Sequence, residues 1–241
     1  MPADRFKPML FADQSLGELC ASLSPKAGGV LADARDLLLA GDAVGAEVAL
    51  VAATMSNPDE VGTWHRLLLA TAQFARGRRD AGVATLRAVA GGAGQSRASL
   101  WAWRALREVG APPDDPDVVL GAIVEVNTVE GVDTLAAYAD GSARYLLHTG
   151  QRVLWDRPDD RLDAAIAATM AAARAAIPHV PAGRLAGEPA PQAARHTLLT
   201  AGGLRTVEEP MAEASAATSP RAPLFGAFTE LLRQILAIVK W

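Results

Sequence analysis

The chain has 241 residues, of which half are hydrophobic and 21% are charged. This amount of apolar material is enough for a folded core, which excludes a chain that is disordered throughout. The formal net charge is −4 and no run of Lys or Arg occurs, so the sequence lacks the concentrated positive surface on which nucleic-acid binding rests.

Cysteine usage and hydropathy restrict the class of protein further. Cys20 is the single cysteine, which excludes an intramolecular disulfide framework and a cysteine-based zinc site. No stretch reaches the roughly 18 apolar residues of a spanning helix, and the first ten residues lack the pattern of a secretory signal. We therefore predict a cytoplasmic protein. The abundance of alanine and the preference for Arg over Lys are typical of a GC-rich bacterial genome.

Helical periodicity dominates the N-terminal part of the chain. Ser15 and Glu18 have the spacing of a capping box at the start of a short helix. Five further helices are predicted from the spacing of apolar side chains and from the glycines that end them. They cover residues 30–40, 44–55, about 64–76, 80–89 and 96–109.

Two of these helical segments are similar to each other. The stretches LLLAGDAVGAEVAL and FARGRRDAGVATL place Gly41 and Gly77 at an offset of 36 residues. Each stretch is a helix, a turn that needs glycine, and a second helix with small residues near its start. Over residues 30–110 the chain thus resembles the tetratricopeptide repeat, a helical hairpin of about 34 residues. The Trp/Leu/Gly/Tyr signature of that repeat is absent, and a plain helical bundle is the alternative.

The hydrophobic period changes after a linker rich in Pro and Asp at residues 111–117. Four strands are expected next, with Asp140-Gly141 as a strong hairpin turn. A helix, a second hairpin and a final helix from Leu224 to Trp241 complete the order β-β-β-β-α-β-β-α. The predicted strands cover residues 118–126, 132–139, 143–148, 151–155, 196–200 and 204–207.

This order of elements predicts an α+β fold, because one antiparallel sheet with helices on one face is its economical arrangement. Residues 1–110 are expected to form a helical repeat-like domain. Residues 118–241 are expected to form an α+β domain with a four-strand meander, a helix, a hairpin and a C-terminal helix. This second domain resembles no family to which we can attach a function.

Motifs for catalysis are missing from the sequence. It has no nucleophile elbow, no phosphate-binding loop and no histidines at metal-ligand spacing. The single arrangement that would support acid–base chemistry brings His148 and His196, on neighbouring strands, to Asp140 or Asp156. Ordinary edge histidines are the alternative. We predict no catalytic, cofactor-binding or metal-binding residue, and an enzyme of unrecognised type stays an alternative.

Large apolar side chains are the candidates for partner binding. Trp101 and Trp103 point to different sides of one helix, so one of them is expected at the surface, where aromatic residues are enriched at binding hot spots. Phe228 and Leu232 belong to an apolar arc of the last helix that is wider than one sheet face requires. That helix packs on the sheet, joins two copies of the chain, or lies on a membrane surface. Its polar face lacks the basic residues of the membrane mode.

These features predict a non-catalytic adaptor that binds another protein or a peptide, because stacked tetratricopeptide-like hairpins offer a groove to a partner. Self-association through the C-terminal helix is a further expected mode, and no cofactor is expected. The alternative is a small-ligand sensor, whose mark would be a pocket lined by Tyr138, Tyr145 or Trp155. Fold alone does not decide between these functions.

Overall fold

A computed structural model shows ten helices and one six-stranded antiparallel sheet in the part of the chain that it describes. The described residues are 7–12, 14–22, 29–56, 62–92, 94–156 and 159–239. The N-terminal helices are followed by the sheet, so the α+β prediction is confirmed. Contacts divide the chain into two compact units: a helical unit, Ala12–Asp114, and a sheet unit, which contains the first helix and Asp115–Trp241.

Helix α1 (Lys7–Phe11) precedes the helical unit in the chain. The helical unit then contains α2 (Leu16–Ser22), α3 (Val30–Leu39), α4 (Ala43–Ser56), α5 (Thr63–Ala75), α6 (Arg79–Ala90) and α7 (Ser96–Glu108). Each helix from α3 to α7 packs on the next one, and α5 also contacts α3 and α7. The five helices predicted between residues 30 and 109 are therefore present.

The turns after α3 and α5 are closed in the same way. Gly41 and Gly77 have φ angles of 83° and 70°, a region in which a side chain would be strained. The amide that follows each glycine donates to the carbonyl four residues before that glycine, at 2.8 Å in both turns. This bond ends a helix and satisfies one of its last carbonyls. The two segments with an offset of 36 residues thus share turn geometry as well as sequence.

Small residues allow close approach between helices at these turns. A Cβ atom on Gly82, near the start of α6, would lie 2.8 Å from the ring of Phe74 on α5. The position 36 residues earlier, near the start of α4, is Ala46, whose side chain is fully buried. The helices therefore approach each other at positions where larger side chains would collide.

A capping box starts α2. The amide of Ser15 donates to the Glu18 carboxylate at 2.7 Å, and the amide of Glu18 donates to Ser15 Oγ at 3.2 Å. This reciprocal pair satisfies two amides that the helix itself cannot. Cys20, one turn further on, is buried, and burial raises the pKa of its thiol. A buried thiol with a raised pKa behaves as a small apolar side chain.

The sheet has the order β4-β3-β2-β1-β5-β6 with every pair antiparallel. Its strands are β1 (Val119–Thr128), β2 (Gly131–Tyr138), β3 (Ala143–Leu146), β4 (Arg152–Trp155), β5 (Ala193–Thr200) and β6 (Gly203–Pro210). The first four strands form the predicted meander. The predicted second hairpin adds to β1, so β1 pairs with β2 on one side and with β5 on the other.

Two long helices cover one face of the sheet. Helix α8 (Asp163–Ala176) leads into a 3-10 turn (Ile177–His179); α9 (Met211–Ala214) follows β6, and α10 (Ala222–Ile238) ends the described helices. α8 and α10 pack on each other and on the sheet. α10 contributes four buried side chains to this core: Leu224, Phe228, Leu231 and Ile235. The last helix therefore packs on the sheet, which is one of its three predicted roles. Lys240 and Trp241, included in that prediction, lie outside the described residues.

Helix α1 belongs to the sheet unit, although it was expected to belong with the helices of residues 1–110. The hydroxyl of Tyr138, at the end of β2, donates to the carbonyl of Leu10 at 2.8 Å. Tyr138 is fully buried, and Leu10 and Phe11 are buried as well. Local patterns in the sequence do not predict a hydrogen bond between positions that are this far apart.

Candidate functional site

Helix α4 exposes a row of large apolar side chains, which we call the α4 stripe. Its members are Val44, Val48, Val51 and Met55, with exposed fractions of 54, 60, 40 and 80%. They follow one another at spacings of four, three and four residues, so they lie along one side of the helix. Single exposed apolar residues are normal on a protein surface, whereas contiguous exposed apolar patches are more frequent at interaction sites.

The single charged residue of α4 points away from solvent. Glu47 is buried, and its carboxylate accepts hydrogen bonds from Arg76 and Arg78. The inward side of α4 thus carries the charge, together with Ala46 and Leu50, while the outward side carries none. This arrangement reverses the usual amphipathic helix, in which charged residues face water.

The two tryptophans singled out in the sequence lie at different depths. Trp101 is fully buried, and its ring centroid is 5.2 Å from that of Trp64. Trp103 is half-buried. Phe228 is a core residue of the sheet unit, and Leu232 is half-buried beside it. Trp103 and Leu232 thus retain some exposure to solvent, and partner binding by any of the four side chains stays a prediction.

A cavity of about 230 Å³ lies between the sheet and α10. It is mostly apolar: Val126 and Leu135 on the strands face Phe225, Phe228 and Leu232 on α10. Its complete lining is Val124, Val126, Thr128, Asp133, Leu135, Tyr145, Met211, Phe225, Phe228, Thr229 and Leu232. Of the three aromatic residues expected to mark a ligand pocket, Tyr145 lines the cavity. Tyr138 bonds Leu10 instead, and Trp155 packs under Arg161.

Asp133 organises the polar part of this cavity. Its Oδ2 accepts the Tyr145 hydroxyl at 2.9 Å, and its Oδ1 accepts the His148 amide and the His148 Nδ1, both at 2.9 Å. Because a carboxylate only accepts, Nδ1 is the donor in this bond. Burial, and after it the bond to Asp133, raises the pKa of Tyr145, so the phenol stays protonated. Glu130 lies 3.8 Å from the opposite ring nitrogen of His148.

His196 on β5 is fully buried next to the cavity, because its cross-strand partner Val124 and its ring neighbour Phe225 both belong to the lining. Its Nε2 is 3.6 Å from Glu209 Oε1, and its ring meets Phe225 edge to face at 6.0 Å. Burial lowers the pKa of His196 to about 4; Glu209 opposes this shift and Arg221 adds to it. Arg221 holds the Glu209 carboxylate with two hydrogen bonds, and the side-chain bond to Arg221 lowers the pKa of Glu209.

The arrangement that would support acid–base chemistry, with both histidines beside Asp140 or Asp156, does not occur in the described residues. Two strands, β2 and β1, separate β3 from β5, so His148 and His196 are not on neighbouring strands. Asp140 accepts bonds from Ser142, and Asp156 pairs with Arg144. The second hairpin joins the sheet beside β1. This pairing is long-range, and local periodicity does not determine it.

The chain matches no family model, no curated protein and no solved structure. The tetratricopeptide-like character of the helical unit therefore stays a prediction. None of the helices in the described ranges has the length and apolar content needed to cross a bilayer. Within those same ranges, no three His, Cys, Asp or Glu side chains are grouped so that they could hold a metal ion.

Two signals in the sequence could have identified these sites. α4 has a single charged residue, Glu47, in 14 positions, and its remaining residues are apolar, small or hydroxyl-bearing. The Asp140-Gly141 turn sets the register in which Ala137 lies opposite Ala143. Extending that register towards the start of β2 brings Asp133 beside the segment that contains Tyr145 and His148.

Proposed function

We propose that the protein is a non-catalytic interaction protein whose helical unit binds an amphipathic helix of a partner protein. The α4 stripe carries this proposal. A helix that turns a row of large apolar side chains towards water is more stable when that row is covered. In the described structure the inner side of α4 packs on α3 and α5, while the stripe is exposed.

The spacing of the stripe favours a helix as the bound element. Val44, Val48, Val51 and Met55 repeat at four, three and four residues, which is the pattern of the seam between two packed helices. An extended peptide would present side chains at a period of two and would match this row poorly. The partner is thus an amphipathic helix that inserts its apolar side chains between those of α4.

Charge supports the same choice of partner. Glu47 is engaged by Arg76 and Arg78 on the inner side, so α4 offers no charged side chain to a partner. Fully desolvated cores of protein interfaces are depleted in charged residues, and Met is enriched there. Met55, the most exposed member of the stripe, adds a flexible side chain that adapts to the shape of the partner.

The test is selection from a displayed library of amphipathic helical peptides against the full-length chain. The informative variant is Val48→Lys with Val51→Lys, which places two charges in the stripe. The matched control is Ala84→Lys with Ala88→Lys on α6, because both alanines are exposed and Ala84 lies 36 residues after Val48. Exposed substitutions of this kind change stability by about 0.5 kcal/mol or less, so both variants should fold.

We expect selected peptides with apolar residues at i, i+3 or i+4, and i+7. Their affinity should fall by a factor of about 10 or more for the α4 variant and stay unchanged for the α6 control. Peptides that bind all three proteins equally, or the absence of enrichment, would overturn the proposal. Light scattering completes the test: a dimer that the α4 variant converts to a monomer would assign the stripe to a second copy of the chain instead.

A further inference from the structure

The cavity under α10 lies within the sheet unit. It differs from the α4 stripe because it combines apolar walls with a polar end. Val126, Leu135 and Phe228 form part of the walls, and Asp133 with Tyr145 forms the polar end. Thr229 is exposed and lies on the α10 side of the lining, so the cavity is accessible next to that residue. Apolar pockets with a few convergent polar groups are the usual form of small-molecule sites.

The hydroxyl groups of the lining already donate their hydrogens within the protein. Tyr145 donates to Asp133 at 2.9 Å, Thr128 donates to the Gly131 carbonyl at 3.1 Å, and Thr229 donates to the Phe225 carbonyl at 2.9 Å. The lining contains no Lys, Arg, Asn or Gln side chain. What its side chains can still offer a ligand is therefore a set of acceptors: the phenol oxygen, the Thr229 oxygen and the Asp133 carboxylate.

The negative charge of Asp133 and the aromatic rings of the lining favour a positively charged hydrogen-bond donor as the ligand. Asp133 is the charged residue of the lining, and no cationic side chain lines the cavity beside it. His148 holds this carboxylate from the far side through its amide and Nδ1, which keeps the Asp133 oxygens in place. Phe225, Phe228 and Tyr145 add aromatic rings, whose faces attract a cation. An anion would meet only acceptors and a negative charge.

We propose that the cavity between the sheet and α10 binds a small organic amine, with its apolar body against Phe225 and Leu232 and its nitrogen donating to Asp133 and Tyr145. The volume of about 230 Å³ lies below the roughly 300–1,000 Å³ of pockets for drug-sized molecules, so the body is no larger than one aromatic ring with a short chain. His148 is a positioning residue, because it acts on the ligand through Asp133.

The experiment compares 2-phenylethylamine with 3-phenylpropionate, an anion of similar shape, and with 2-phenylethanol, a neutral molecule of similar shape. Binding to the full-length chain is measured by calorimetry and by the shift of the Met211 methyl signal in NMR, since Met211 lines the cavity. Thr229→Trp places an indole over the cavity. The matched control is Leu236→Trp on the same helix, because Leu236 is exposed and lies outside the lining.

We expect 2-phenylethylamine to bind at least about 10-fold more tightly than 3-phenylpropionate, and Thr229→Trp to weaken it about 10-fold or more while Leu236→Trp leaves it unchanged. Asp133→Asn should reduce the affinity for the amine and leave that for 2-phenylethanol unchanged. Equal affinity for amine and anion, the absence of binding, or binding that survives Thr229→Trp would overturn the proposal. If Asp133→Asn does not fold, the two tryptophan variants decide.

This inference goes beyond the interaction proposed for the helical unit and does not depend on it. The α4 variant Val48→Lys with Val51→Lys should bind 2-phenylethylamine as the wild-type chain does. If peptide selection fails, the proposal of an amine site is unaffected. If amine binding fails, the proposal for the α4 stripe is unaffected.

Discussion

Helix α4 of the helical unit and helix α10 of the sheet unit place their apolar and charged side chains in opposite ways. In the helical unit, α4 turns Glu47 inward and leaves Val48 and Met55 exposed to water. In the sheet unit, α10 buries Phe228 and exposes Glu230 and Arg233, which pair with each other. Both helices have apolar arcs that are wide for a surface helix. A wide apolar arc therefore does not by itself identify an interface, because the sheet covers the apolar arc of α10.

The largest effect should come from truncating a core leucine in each unit. Leu198 on β5 is fully buried in the core between the sheet and its two helices, and Leu198→Ala should lower the free energy of unfolding by about 4 kcal/mol. Leu50 is equally buried, but it belongs to a small cluster with Cys20 on α2, Ala34 on α3 and Leu68 on α5. A small helical cluster can close around the gap, so Leu50→Ala should cost about 2–3 kcal/mol.

Chemical denaturation of the two leucine variants measures this difference directly. Equal losses would show that the two cores relax to the same extent, and the contrast between the units would then be limited to their surfaces. A larger loss for Leu50→Ala would reverse the comparison.

Acid should act on the sheet unit through His196. Unfolded His titrates near pH 6.5, whereas burial lowers the pKa of His196 to about 4 in the fold. Between these values the unfolded chain binds a proton that the folded chain does not. Stability is therefore complete above about pH 6.5 and is lost as the pH falls towards 4, by about 3 kcal/mol in total. The lowered pKa of Glu209 extends the loss in the same direction below pH 4.5.

Urea denaturation at several pH values between 7 and 4 tests this dependence. His196→Leu should make the free energy of unfolding depend less on pH, because it removes the group that titrates. Neither ring nitrogen has a hydrogen-bond partner among the described residues, so the substitution breaks no hydrogen bond. His179→Gln is the matched control, because His179 is exposed. A slope that the first variant leaves unchanged would mean that His196 takes up its proton in the fold as readily as in the unfolded chain.

The smallest effects on stability are expected from substituting one helical glycine in each unit. Gly82→Val should lower the free energy of unfolding by about 2 kcal/mol, because its Cβ would lie 2.8 Å from the ring of Phe74. In the sheet unit, a Cβ on Gly226 of α10 would meet no atom within 4 Å, so Gly226→Ala should stabilise the chain by about 0.5–1 kcal/mol. Thermal denaturation compares the two. A neutral Gly82→Val would show that α5 and α6 separate at no cost.

Local patterns were sufficient for much of the fold. Apart from the short helices α1 and α9, the order of strands and helices in the sheet unit was predicted, and the turn glycines Gly41, Gly77 and Gly141 all have positive φ. These features depend on residues within a few positions of each other. The periodicity of β5 was harder to interpret, because all of its side chains are buried and no polar face alternates with the apolar one.

The candidate sites depended on contacts that no local pattern contains. Glu47 meets Arg76 and Arg78 across 29 and 31 positions, so its inward orientation could not be inferred from α4 alone. The cavity needs α10 to lie over β1, β2 and β3, which the sequence order does not specify. Trp101 is fully buried and contacts Trp64 on another helix, a contact that the sequence of α7 alone does not reveal.

The central position of β1 has a consequence for synthesis on the ribosome. β2 follows β1 directly, but β5, its other neighbour, supplies partners that are 70 positions away, as Glu125 and Arg195 are. Until β5 has left the exit tunnel, the meander presents one long unpaired edge of a strand that is largely apolar. Such edges recruit other strands, and pairing across long loops is slow. Nascent chains of this protein are thus most prone to aggregate between the emergence of β4 and that of β5.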